Sequence, residues 1–584
     1  MTADQRLAAL LQRHAESFLR RSPEQATAFH YDISAHAALR SQLDDRSLAA
    51  LSRDRAAIAI AQKELAAIDP RRLSPAARID YGIASFVYDM FAEIFGYEYG
   101  QVDMDLRPTP YIVNQMNGVY YWTPSLFARE HPLDTRADGE AWLARLAAFA
   151  VALQQETERV RHDAARGVVP PDFVIDHTVT QILQLRDSDP ATNTLVGVGV
   201  ERARKSGAGD PAAAAAVIFR NQIQPALTRQ AEALRTLRTQ AVNIAGVWRL
   251  PRGEEYYRTA LRSNTTDPTL PHELHRQGLE QCHALIAQLN TMLSAQGLTQ
   301  GTVGARIAQL SHDKRFIVSN DDAGRARVMT AAEAAIAKIV RLLPRGFRTI
   351  PNVPLRIQRT PVETQDNSPI AFGGRGFFQL NLKNPGELAL WRLPTLAHHE
   401  AIPGHHFQAS VLQASATLPL ARRIVRFSAY TEGWGLYAQQ VADELGAYEA
   451  DPFGRIGYIQ SELWRAARIV VDTGIHSERW TREQATAWMV DNVGEDPTAT
   501  AREIVRYCVY PGQACSFKVG ANRIVAAREA ARRRLGARFD VRSFHDLILK
   551  SGPMPMIELE RSVAQWNGIE PVASPAAVSS TDAK

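Results

Sequence analysis

The segment His398-His399-Glu400-Ala401-Ile402-Pro403-Gly404-His405-His406 places four of the chain's sixteen histidines around one glutamate. Imidazole nitrogens hold zinc at about 2.0–2.1 Å, and a neighbouring carboxylate can take a proton from zinc-bound water. The common arrangement, H-E-x-x-H on a helix, puts both histidines on one face. This chain departs from it, with proline at position 403. On a regular helix six residues turn through about 240°, so His399 and His405 would face apart. Seven residues restore the face but leave His399 and His406 about 10.5 Å apart along the axis. Proline removes an amide donor and clashes with the preceding turn, and glycine accepts unusual dihedrals. A broken turn at Pro403-Gly404 would swing His405 back towards His399. We therefore expect His399 and His405 as zinc ligands, with His406 the alternative to His405. Glu400 is the expected base, and His398 is expected behind the ligands or facing substrate. So dense a histidine cluster argues against a plain polar helix end.

A catalytic zinc takes three protein ligands and keeps one position open. The third is expected in Thr431-Glu432-Gly433-Trp434-Gly435-Leu436-Tyr437-Ala438. Glu432 lies 27 residues after His405, enough for one helix to end and the chain to return antiparallel. Its neighbours Gly433, Trp434 and Gly435 suit a close-packed site better than a solvated surface.

Residues 399–406 and 431–438, with Tyr-Pro-Gly-Gln-Ala over 510–514, resemble the bacterial domain of unknown function 885 (DUF885) family and, through it, the gluzincin metallopeptidases. The resemblance extends over most of 30–565. It implies a large, mainly helical metallopeptidase-like fold with a deep cleft, similar to oligopeptidases and zinc carboxypeptidases. It also implies His399 and His405 as the paired histidines, Glu400 as general base and Glu432 as carboxylate ligand.

A zinc peptidase must also stabilise the oxyanion formed on the attacked carbonyl. Arg465, Arg468 and Asp472 follow helical spacing, with His476 one turn beyond. An Asp472–His476 pair would orient an imidazole towards substrate; an Arg–Asp pair within the helix is the competing reading. Tyr507 or Tyr510 would donate a phenol, and the family-like Arg-Tyr ahead of Pro-Gly-Gln favours Tyr507. Arg465 or Lys518 would pair with a substrate carboxylate. The stretch Phe372-Gly373-Gly374-Arg375-Gly376 is either a strand edge for an extended peptide or a structural hairpin. It lacks the lysine and spacing of a phosphate loop.

These residues need a scaffold, and the sequence offers a helical one. Apolar residues recur three and four apart over much of 5–20, 45–66, 75–95, 138–165, 210–240, 272–295 and 330–343. Thr269 and Pro271 read as a capped helix start. Strand alternation appears at 354–359 and 378–382, giving a small antiparallel sheet beside the metal-site helix. We expect one unit over 1–570, with lobes of roughly 1–270 and 271–570, and a disordered tail at 571–584.

The chain has 584 residues, 45% hydrophobic and 22% charged, enough apolar content for a large core. The net charge of +5 is a small surplus of 67 basic over 62 acidic residues, with no basic run of the kind nucleic acid requires. Three cysteines make no disulfide framework and read as buried thiols. No apolar run is long enough to span a membrane. As written, the chain reads as cytoplasmic, or as periplasmic or secreted if a leader has been removed. The function read from these residues is a zinc metallopeptidase acting on peptides or small peptide-like amides. The alternatives are a zinc hydrolase of a non-peptide amide or ester, and a non-catalytic helical binding protein. Oligomeric state is not legible.

Overall fold

The expected helical periodicities are realised throughout, and the fold is mainly helical, 69% helix against 3% strand. The structure is a computed structural model describing residues 1–362, 365, 369–415 and 418–568; the expected tail at 571–584 lies outside the described residues. By packing, the chain forms two compact units. One comprises Met1–Asp69, Val87–Asp103 and Pro108–Tyr256, the other Pro70–Phe86, Met104–Arg107 and Tyr257–Lys584.

The first unit is built on α1 (Arg136–Ala165), which Thr135 and Asp138 start with a reciprocal capping box. Trp142, Leu146, Phe149 and Leu153 are spaced four, three and four apart, so one face is continuously apolar, and all four are fully buried. Helix α3 (Gln224–Arg238) packs on α1, and α2 (Asp172–Asp187) packs on α3. They bring Val179, Ile182, Leu227 and Leu234 into the same core.

The second unit contains every candidate site residue. The helices that bear on the site are α4 (Pro271–Ala295), α5 (Leu393–Glu400), α6 (His405–Ser415), α7 (Ser428–Leu445), α8 (Pro452–His476), α9 (Pro497–Val509), α10 (Ser516–Leu535) and α11 (Val541–Ser551). α4 lies along α8, and α7 lies along α10. The second pair approaches closely at Gly433 and Gly520; a Cβ on Gly433 would stand 2.6 Å from the Gly520 carbonyl carbon. α8 is buried almost all round, the pattern of a central helix. α4 starts at Pro271 as expected, but its N-cap is Leu270, while the Thr269 amide donates to Asp267.

Three short strands accompany these helices: β1 (Arg356–Arg359), β2 (Ala371–Gly374) and β3 (Phe377–Leu380), in the order β1-β3-β2. β2 and β3 form an antiparallel hairpin, and β1 runs parallel to β3. β2 packs against α5 and α6, so the sheet stands beside the histidine segment. The three cysteines are free and buried. Among the described residues no helix is long and apolar enough to cross a membrane.

Candidate metal centre

Helix α5 stops at Glu400, and α6 begins at His405. Between them Ala401 leaves helical geometry, with φ −113° and ψ −89°, and the Ile402–Pro403 peptide is cis. The connection is tight. A Cβ on Gly404 would lie 1.8 Å from the His399 carbonyl oxygen, so only glycine lets the chain pass there. The Trp434 indole of α7 donates to the Pro403 carbonyl at 2.9 Å and ties the break to the next helix.

This break sets His399 and His405 together, with ring centroids 4.8 Å apart and planes crossed at 81°. Glu432, in the second turn of α7, completes the group. Its Oε2 lies 3.6 Å from His399 Nε2 and 3.4 Å from His405 Nε2. One donor atom from each of the three lies within 4.8 Å of the others. Tetrahedral ligands held about 2.0–2.1 Å from zinc stand about 3.4 Å apart, so the carboxylate–imidazole separations match a shared ion. Gly435, one turn after Glu432, provides the room. A Cβ there would lie 2.8 Å from His399 Cε1 and 2.9 Å from His405 Cε1.

The surroundings also fit a metal. Gln439, two turns along α7 from Glu432, places its amide 3.0 Å from His399 Nδ1 and has an otherwise unpartnered Oε1. Amide oxygen and nitrogen interchange by a half-turn. Turned so, Oε1 accepts from Nδ1–H and leaves Nε2 with a lone pair for an ion, the usual support for a metal-binding imidazole. Burial holds the His399 pKa down to about 3, so its ring is neutral, as metal binding requires. For His405 burial acts downward, but the hydrogen bond and charge of Glu432 outweigh it and raise its pKa. Burial opposes ionisation of Glu432, yet the two imidazoles hold its pKa below the ordinary carboxylate range. Glu432 is thus the anion that both imidazoles face.

Glu400 faces the same group but is held by β2. Its Oε2 accepts the Gly373 amide proton at 2.7 Å. Desolvation raises its pKa to about 7; the charge of His405 and the Gly373 bond oppose the rise, and the charge of Glu432 adds to it. Such a carboxylate is suited to moving a proton near neutrality.

The other predicted residues are engaged elsewhere. His406, the alternative ligand, accepts the Gly376 amide through Nδ1 at 2.8 Å, at the β2–β3 turn. His398 is buried, and its Nδ1 meets the Tyr448 hydroxyl at 3.1 Å, which itself bonds Thr395. It faces the packing between helices and not a substrate. The Tyr507 hydroxyl donates to Glu503 and accepts from Arg468 Nε, each at 3.0 Å, so its proton is committed. His476 is fully enclosed, with Nε2 3.0 Å from the Tyr507 carbonyl and its ring against Tyr257. Asp472 pairs with neither His476 nor an arginine; it accepts from the Tyr257 hydroxyl at 2.7 Å and from the Gly512 amide. Lys518 is bound to Glu462 at 2.5 Å. Arg465 stands apart from these, because its charge acts on His399, Glu400, His405 and Glu432 together. Sequence reading missed the role of Gln439 and, although it singled out the glycine stretch, the bond from Gly373 to Glu400. Gln439 carried a usable signal, since seven residues from Glu432 return to the same helix face.

Comparison with known proteins gives the class this geometry belongs to. The family described as "Bacterial protein of unknown function (DUF885)" matches residues 23–563, and the chain is a member of that family. A crystal structure of a "putative lipoprotein" from Colwellia psychrerythraea is similar over 97% of this chain and 99% of its own, at 30% identity and TM-score 0.92. A second, of a "putative lipoprotein of unknown function" from Shewanella oneidensis, covers 96% of this chain and 100% of its own, at 19% identity and TM-score 0.71, and shares the fold. No curated protein matches the chain.

Proposed function

We propose that this protein is a zinc-dependent hydrolase whose substrates are peptides or small peptide-like amides. The observation that carries this reading is the convergence of His399, His405 and Glu432 beside a carboxylate whose pKa is raised towards neutrality. Zinc held by the three would supply a Lewis acid for a carbonyl oxygen and would acidify a water molecule. Glu400 holds and moves the proton. Gly373 fixes one of its oxygens, and the other has no partner among the described residues. From that position the carboxylate receives the proton of the attacking water and returns it to the leaving nitrogen. Burial matches its pKa to both steps. A pure binding site would have no use for a base so placed, which weighs against the non-catalytic reading.

The lipoprotein description of both structural relatives favours a place outside the cytoplasm for this chain over the cytoplasmic reading. Elemental analysis of the purified protein should find one zinc per chain. Glu400→Gln should retain that zinc and lose about 100- to 10,000-fold in turnover of a peptide library. Metal-free protein, or a variant as active as the parent, removes the proposal. Small esters and non-peptide amides assayed in parallel identify the bond cleaved.

A further inference from the structure

Two buried arginines on α8 are left over from the chemistry above. Arg465 and Arg468 are three residues apart, share a helix face, and are only 7% and 5% exposed. A buried guanidinium ordinarily meets a carboxylate through paired N–H donors. Arg468 does so in part. It donates through Nε to Tyr507 and through Nη2 to Glu503 at 3.1 Å, and its Nη1 has no partner.

Arg465 does not. Its Nη1 donates to the neutral Ser461 hydroxyl at 2.6 Å, its plane lies over Trp464 at 4.6 Å, and its Nε is unpartnered. Among the described residues no carboxylate is within ion-pair distance of it. Glu462, the acid nearest along its own helix, is taken by Lys518. Stacking on an indole recovers only part of the desolvation cost of a buried charge. The cation therefore has no bonded anion among the described residues, and Glu400 and Glu432 of the centre act on it through their charge alone. Arg468 lies close by: its guanidinium stands 4.6 Å over the Phe517 ring, which is itself stacked on His399 at 6.3 Å.

We propose that Arg465, backed by Arg468, binds a carboxylate of the substrate. That group is the free C-terminus of a short peptide or an acidic side chain next to the cleaved bond. This rests on the hydrolase reading, which makes the trio and Glu400 the reacting centre. A carboxylate on Arg465 would fix how far the substrate extends past the centre, and so select short or acidic peptides over longer neutral ones.

Binding separates the proposal from the activity. Zinc-loaded Glu400→Gln protein, which avoids turnover, is titrated calorimetrically with trialanine, trialanine amide and acetyl-Ala-Glu-Ala amide. At least one carboxylate-bearing probe should bind tenfold or more tightly than trialanine amide, and which one does so identifies the source of the carboxylate. Adding Arg465→Gln should bring the probes within twofold of one another, and Arg465→Lys should keep part of the preference. Equal binding of the three probes, absent binding of all three, or a preference that survives Arg465→Gln overturns the proposal. The two readings fail separately. Preference without hydrolysis by the parent supports the carboxylate site and sinks the hydrolase; equal hydrolysis of acid and amide peptides does the reverse.

Discussion

Gly435 shows how strictly single positions shape this centre. It follows Glu432 by one helical turn and faces two imidazoles, each within 3.0 Å of where its Cβ would be. Alanine is the better helix former by about 1 kcal/mol, so Gly435→Ala should leave α7 folded. The cost should fall on the ligands, because either His399 or His405 must tilt away from Glu432. Displacing or unsupporting a metal-binding imidazole costs about 10- to 100-fold in affinity. We expect Gly435→Ala to lose zinc affinity by that factor in competition with a chromophoric chelator, with the helical circular dichroism unchanged. Unaltered affinity would show that the imidazoles do not share one ion. The histidines themselves divide sharply by residue. His399 and His405 face Glu432, while their immediate neighbours His398 and His406 turn to Tyr448 and to the β2–β3 turn.

At the scale of elements, α8 carries a buried acid that should mark its stability with pH. Asp472 is fully buried, and desolvation raises its pKa to about 7 although Tyr257 and Gly512 donate to it. The unfolded chain would titrate the same group near 3.8. With the folded value the higher, its stabilising contribution is fully present below the unfolded value and is lost as pH rises towards 7, at most about 1.4 kcal/mol per pH unit. Asp472→Asn removes this dependence at nearly constant shape. The variant should therefore gain on the parent in apparent melting temperature between pH 5 and pH 8; a constant or widening deficit would show that Asp472 ionises freely in the fold. Much at this scale was legible beforehand. Helices announce themselves by period, and the Pro403-Gly404 break by the refusal of both residues to continue a helix. β2 was legible only as a glycine-rich stretch that could be a strand edge or a hairpin, because Gly373-Gly374 has no side-chain alternation, and it forms the hairpin; the capping of α4 was not legible because Leu270 carries no capping group. The role read for Tyr507 followed from a family-like pattern and that for His476 from helical spacing, but the contacts of Tyr507 with Arg468, His476 with Tyr257 and Lys518 with Glu462 are set by packing between helices, which spacing along one helix does not encode.

For the whole molecule, the two units differ in what a metal can do to them. The first is closed around its own apolar core of Trp142, Leu146, Phe149 and Leu153. The chain crosses between the units several times, and its last crossing falls inside the helix Gly253–Thr265, where no change of composition marks it. The ligand trio lies wholly in the second unit, on α5, α6 and α7, so zinc binding should be felt there. A ligand bound only by the folded state adds about 2.7 kcal/mol when it is present at a hundred times its dissociation constant. Ordering should be greatest where the chain is broken between α5 and α6, since no continuous helix holds His399 to His405. Hydrogen exchange compared with and without a chelator should show zinc slowing the amides of 393–413 and 428–445, with little change in 136–165 and 224–238. Equal change in both units would mean that the metal acts on the global fold; no change in α5 to α7 would mean that the break is already rigid and the centre preformed. The proposed centre favours slowing confined to α5, α6 and α7, because the two imidazoles and Glu432 reach it from three separate helices, and the crossing between His399 and His405 rests on a few local bonds, among them the Trp434 indole to the Pro403 carbonyl and the Phe407 amide to the Ala401 carbonyl.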